Sequence, residues 1–142
     1  MKTLILFGLI SFFTCPLFSE GTRRFTVTAE MLTDSELSEI ISYILNESFD
    51  DLWRDKADLD EDNFLGRRYT ILDLFDEEKT DVNVTALNSN FDDLWASKAD
   101  EGTAVYGRRY TVTDITNPEK AEENAFAINE NFDDLYRFKK DR

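Results

Sequence analysis

Apolar and polar residues alternate over Arg24-Phe25-Thr26-Val27-Thr28, over Arg68-Tyr69-Thr70-Ile71 and over Arg109-Tyr110-Thr111-Val112-Thr113. A period of two with β-branched and aromatic residues predicts an extended strand, Phe or Tyr with Val or Ile on one face and Arg with Thr on the other. Downstream of each stretch the period changes. Val84, Leu87, Phe91, Leu94 and Lys98 step by three and four, as do Ala125, Ile128, Phe132, Leu135 and Lys139. Each set predicts a helix with a narrow apolar seam, widened by Trp95 or Tyr136 and close to that of a coiled coil. The first helix is broader, with Leu37, Ile40, Ile41, Ile44, Leu45, Phe49 and Leu52. Thr33 with Glu36 suggests a capping box for it, the middle helix is expected to start near Thr80 or Asp81, and Asn117-Pro118-Glu119 offers a cap followed by Pro for the third. Acidic Glu119, Glu122 and Glu123 at its start and basic Arg137, Lys139 and Lys140 at its end suit the helix dipole.

The alternation and the helix recur together, so the unit is a strand followed by a helix, used three times. The helix block from Leu45 to Asp58 returns from Leu87 to Asp100 and from Ile128 to Asp141, as [LI]-N-x-[SN]-F-D-D-L-[WY]-x-x-K-[AK]-D. Tyr69 and Phe91 are 22 residues apart, as are Tyr110 and Phe132, while the first unit has two more between Phe25 and Phe49. Fixed spacing with variable loops is the mark of elements that must meet at a set distance and pack against copies of themselves. The expected fold class is α+β, three tandem strand-helix repeats of about 41 residues: 22–58, 59–100 and 101–142, after a leader over 1–21.

The leader reads as a secretory signal peptide: Lys2, an apolar stretch from Leu4 to Phe13, Pro16, and small residues near Ser19 and Gly21. Interrupted by Ser11, Thr14 and Pro16, it is short of the roughly 20 apolar residues of a spanning helix. An extracytoplasmic or cell-surface location is expected, with no membrane span after cleavage. Lipidation at Cys15 is disfavoured by Phe12 and Thr14 in the preceding positions. Cys15 is the chain's single cysteine, so the exported part has neither disulfide nor thiol nucleophile. The formal charge of −14 repels phosphate backbones, which argues against nucleic acid as a partner.

Enzymatic chemistry finds little footing. The chain has no His, which removes a histidine base or triad. Asp50-Asp51, Asp92-Asp93 and Asp133-Asp134 recur in every copy, and neighbouring helical residues point in different directions, so they belong to the repeat. Asp58-Leu59-Asp60-Glu61-Asp62 lacks the Gly and the terminal acid of a calcium loop, Asn63 and Tyr69 standing there instead, and reads as a solvated loop. No catalytic, cofactor or metal site is assigned. Asn46-Glu47-Ser48 and Asn83-Val84-Thr85 match the glycosylation pattern but fall inside helices, where they read as chance matches. Gly66-Arg67-Arg68 and Gly107-Arg108-Arg109, with Arg23-Arg24 and Lys139-Lys140, resemble the processing signals of neuropeptide precursors. The alternative, favoured because the repeat runs through the cleavage points, is that each Arg pair offsets an Asp pair on a neighbouring helix.

The segments Leu87-Asn88-Ser89-Asn90-Phe91-Asp92-Asp93-Leu94 and Ile128-Asn129-Glu130-Asn131-Phe132-Asp133-Asp134-Leu135 resemble the short helices of trimeric bacteriophage tail-fibre stalks. The resemblance implies a homotrimeric, fibrous, attachment-related part. It covers about a dozen residues per unit, and two features depart from it: the leader and the Arg-Tyr-Thr stretch. The sequence therefore points to an exported, non-enzymatic structural or adhesive protein. The favoured arrangement is a homotrimer joined through Leu45, Phe49, Leu52, Leu87, Phe91, Leu94, Ile128, Phe132 and Leu135. The alternatives are a neuropeptide-like precursor and a pseudo-symmetric monomer, a secreted protein- or ligand-binding domain whose candidate partner surface is Trp53, Trp95 and Tyr136.

Overall fold

The computed structural model describes residues 25–59, 66–102 and 107–141. The leader, Arg23-Arg24, residues 60–63 of the acidic loop and Thr103 lie outside that range. Helix α1 spans Ala29–Leu32, and three helices of equal length follow: α2 Ser38–Asp55, α3 Thr80–Ser97 and α4 Ala121–Phe138. A single 3-10 turn leads into each long helix, at Ser35–Leu37, Glu77–Lys79 and Pro118–Lys120. The caps sit on these turns. Asp34, Asp76 and Asn117 each accept a hydrogen bond from the backbone N–H two residues on. The first cap is therefore Asp34 rather than Thr33, and Pro118 occupies the start of its turn, where its missing N–H costs nothing.

The α+β expectation is corrected: among the described residues there is no strand and no sheet, only three isolated bridges. The alternating stretches have their apolar face inward, with Phe25, Val27, Ile71 and Val112 buried and Thr26, Thr70 and Thr111 exposed. What differs is the bonding partner. The side-chain amide of Asn46 donates to the carbonyl of Ile71 and accepts from its N–H, both at 2.8 Å. Asn88 grips Val112 in the same way at 2.9 Å, and Asn129 grips Val27 at 2.7 and 2.8 Å. Each helix thus holds the extended segment of the next unit, and the third holds that of the first. Asn83 and Asn124 bond the following residue, Leu72 or Thr113, from the segment's own helix. Carboxamides carrying one donor and one acceptor replace the neighbouring strand.

The units close into a ring about a shared aromatic centre. Phe49, Phe91 and Phe132 meet pairwise with ring centroids 4.9 to 5.0 Å apart. Such pairs contribute about 0.5–1.5 kcal/mol each beyond the area they bury. The nine residues expected to form an intermolecular seam all lie in this one core, none more than 1% exposed. The fibre, the homotrimer and the coiled-coil seam are corrected accordingly: the apolar stripes that would join three chains are already buried against one another within a single chain. The α1 turn, which absorbs the longer spacing of the first unit, packs on α4 and helps join the first unit to the third.

Candidate functional site

The polar residues that recur in every unit serve the ring. Beyond the C-terminal ends of the long helices, Ala57 donates to the carbonyl of Lys140, Lys140 to that of Ala99 and Ala99 to that of Ala57, at 2.7 to 2.8 Å. Around this closed triangle Lys56, Lys98 and Lys139 are buried. Lys98 donates to the carbonyl of Trp53 and to Asp58, Lys139 to the carbonyl of Trp95 and to Asp100, and Lys56 to the carbonyl of Tyr136 and to Asp141. Each ammonium also lies over the aromatic ring of the same partner unit, 4.8 to 5.4 Å from its centroid. A buried charge needs this much satisfaction, and the helix C-termini supply negative ends of dipoles in addition. Trp53, Trp95 and Tyr136 are buried at 1%, 7% and 8% exposure, so the exposed aromatic cluster expected of them is corrected: they hold lysines.

The paired arginines span units. Arg67 meets Asp50 at 3.2 Å on the preceding helix, and Arg108 meets Asp92 at 2.6 Å. The second arginine of each pair turns to its own helix: Arg109 makes a two-pronged hydrogen bond with Asp134, and Arg68 lies 3.6 Å from Asp93. Hydrogen bonding to Asp134 raises the Arg109 guanidinium above its ordinary value. Burial pushes the Asp93 carboxyl up, against the pull of Arg68 and with a small addition from Asp92. The glycines ahead of these pairs have positive φ, 66° at Gly66 and 90° at Gly107, a backbone state that side chains resist.

With the framework so committed, the outward faces of the units are where they differ. Position 85 of α3 corresponds to Tyr43 in α2 and Phe126 in α4, both aromatic, but is Thr in the second unit. Beside it a groove of about 460 Å³ opens between Arg68-Tyr69-Thr70 and the helical residues Asp81, Val82, Thr85 and Ala86. Tyr69 is 41% exposed and Val82 68%. In the third unit Phe126, itself 53% exposed, stacks edge-on against Tyr110 with centroids 5.0 Å apart, and Tyr110 is half-buried. The sequence reading missed this site because it searched for what the copies share. The signal was available in the substitution of Thr85 where the other two helices carry an aromatic.

Comparison with protein-family models, curated proteins and solved structures finds no match to this chain. The groove and the ring are therefore interpreted from their own chemistry.

Proposed function

We propose that this chain is an exported, non-enzymatic binding module that acts as a single closed domain and takes its partner in the groove of the second unit. The observation that carries the reading is the contrast between Tyr69 and Tyr110. Both sit at the same place in the repeat, yet one is exposed beside Thr85 and the other is half-buried with Phe126 packed edge-on against it. A concave patch with an apolar floor and a few polar groups at its rim is the usual form of a recognition site. Catalysis has little support, because the recurring carboxylates face arginines and lysines: Asp50, Asp92, Asp93, Asp134, Asp58 and Asp100 are all in ion pairs. The dibasic pairs support a folded module over a processed precursor, since Arg67, Arg68, Arg108 and Arg109 tie helices together.

The test has two parts. Sedimentation with light scattering of residues 22–142 is expected to give the mass of one chain; a stable higher mass would remove the single-domain reading. A display screen of random linear peptides is then run on the wild type with Thr85→Phe as counter-selection. Enrichment of peptides that bind the wild type and are lost on the variant supports the groove, and binders indifferent to the substitution would place the site elsewhere.

A further inference from the structure

The pseudo-symmetry of the chain gives the groove of the second unit a counterpart in the third. The second and third units present the same three residues on the extended side, Arg68-Tyr69-Thr70 and Arg109-Tyr110-Thr111, and on the helical side Asp81, Val82 and Ala86 stand where the third unit has Glu122, Glu123 and Ala127. The third unit completes its copy with the ring of Phe126, packed edge-on to Tyr110 at an interplanar angle of 84°. We infer that the groove of the second unit takes an aromatic side chain from a basic linear peptide, seated on Tyr69 as Phe126 is seated on Tyr110. This rests on the binding-module reading above and names its ligand.

Three features of the site give that ligand its chemistry. Val82, Ala86 and the ring of Tyr69 provide an apolar seat, and the edge-to-face geometry is the one aromatic quadrupoles prefer. Asp81 lines the groove, the charge of Arg68 is offset by Asp93, and of the exposed Glu77, Glu78 and Lys79 in the turn before the same helix the lysine is paired with Asp76, which leaves the two glutamates in excess. A chain of net charge −14 attracts cationic segments and repels acidic ones. Finally, Tyr69 gives its carbonyl to Asn90 and Ile71 both its groups to Asn46, while the N–H and C=O of Thr70 between them make no hydrogen bond among the described residues. Those two unbonded groups suit one residue of an extended chain laid alongside them.

The probe is a capped lysine-phenylalanine-lysine peptide titrated into the 15N-labelled full domain, with alanine-centred and glutamate-flanked peptides as controls. Saturable shifts are expected at the amides of Thr70, Thr85 and Ala86. The alanine peptide should bind at least about tenfold more weakly, and rising salt should weaken the phenylalanine peptide further. Thr85→Phe should abolish these shifts. Phe126→Thr, which empties the third unit's copy, should add a second site reported by Thr111 and Ala127. Equal binding of the alanine peptide, preference for the glutamate-flanked one, or no added site in a folded Phe126→Thr would overturn the inference. If the display screen still yields peptides of other composition that are lost on Thr85→Phe, the binding module stands and only its aromatic, basic ligand falls.

Discussion

The ammonium of Lys98 sits 2.7 Å from the backbone carbonyl of Trp53, 45 residues earlier, and 4.8 Å from the centroid of the same residue's ring. With Asp58 at 2.5 Å as its third contact, it joins the second unit to the first at a point where both charged side chains are almost wholly buried. Lys98→Met keeps the length and removes the charge, taking the ammonium away from the Asp58 carboxylate and from the Trp53 carbonyl. Breaking a buried pair from one side costs about 3–5 kcal/mol. Lys56→Met should cost clearly less, because its partner Asp141 is 58% exposed and returns to water when released. Denaturant unfolding of the two variants checks the order, and equal losses would show that burial of the pair does not set its strength here.

Asn46 stands in a glycosylation sequence pattern, but both ends of its amide are committed to Ile71 inside the fold. Asn46→Ala strips partners from a buried N–H and a buried C=O together, at about 1–3 kcal/mol for each group left unsatisfied. Asn83, in the second such pattern, is also buried and bonded to Leu72. Expressed through a glycosylating secretory route, the folded protein should carry no sugar at either position. Intact mass spectrometry decides it, and an added glycan at Asn46 would be incompatible with the closed ring.

Asp93 is the weak member of the arginine clamps. Its pair with Arg68 is longer than a hydrogen bond, and burial raises its carboxyl above the ordinary value of 3.8. A carboxyl raised on folding binds its proton more tightly in the native state. Its ionisation therefore takes stability away as pH climbs from the unfolded value through the folded one, and the loss persists above. Asp93→Asn removes that loss. The variant should melt at or slightly above the wild type at pH 7, and the difference should shrink towards zero below pH 3.8. A variant less stable than wild type at neutral pH, with the gap closing in acid, would mean that the Arg68 attraction outweighs desolvation.

Much of this fold was legible in the sequence, and the part that was not has a physical reason. The step of three and four through Leu87, Phe91 and Leu94 located α3, whose start at Thr80 agrees with the expected Thr80 or Asp81. Period-two alternation around Tyr69 and Ile71 put Ile71 inward, as found, but the strand it predicted is absent among the described residues and Tyr69 on the same face is 41% exposed. It is silent on what bonds the peptide groups, and here Asn46 and Asn83 do so in place of a second strand. The narrow seam likewise states that Phe91 must meet its equivalents, without stating whether those equivalents belong to other chains or to the same one. Trp95 misled for a different reason: a large aromatic beside a seam looks exposed until Lys139 is seen to reach over from the next unit. The groove was least legible, since Thr85 departs from the repeat and only the resident Phe126 shows what the departure removes.

Closure of the ring has a consequence for how the molecule unfolds. In an open solenoid the terminal units have one neighbour and fray first. Here Asn129 of α4 holds Val27 across 102 residues of sequence, and Phe25 packs on Phe132 at 5.7 Å, so the first unit has two neighbours like the others. Asn129→Ala should therefore be as costly as the internal Asn88→Ala, about 1–3 kcal/mol for each polar group left buried and unpaired. It should also expose the amide of Val27 to hydrogen exchange far faster than it exposes those of the middle helix. In the wild type, thermal unfolding followed by tryptophan fluorescence and by circular dichroism should coincide in one transition, as expected of a cooperative domain. Trp53 and Trp95 report the end of the ring where Lys98 and Lys139 are buried while the helices report the whole, and two separated transitions would show that the bonds joining first unit to third do not close the ring in solution.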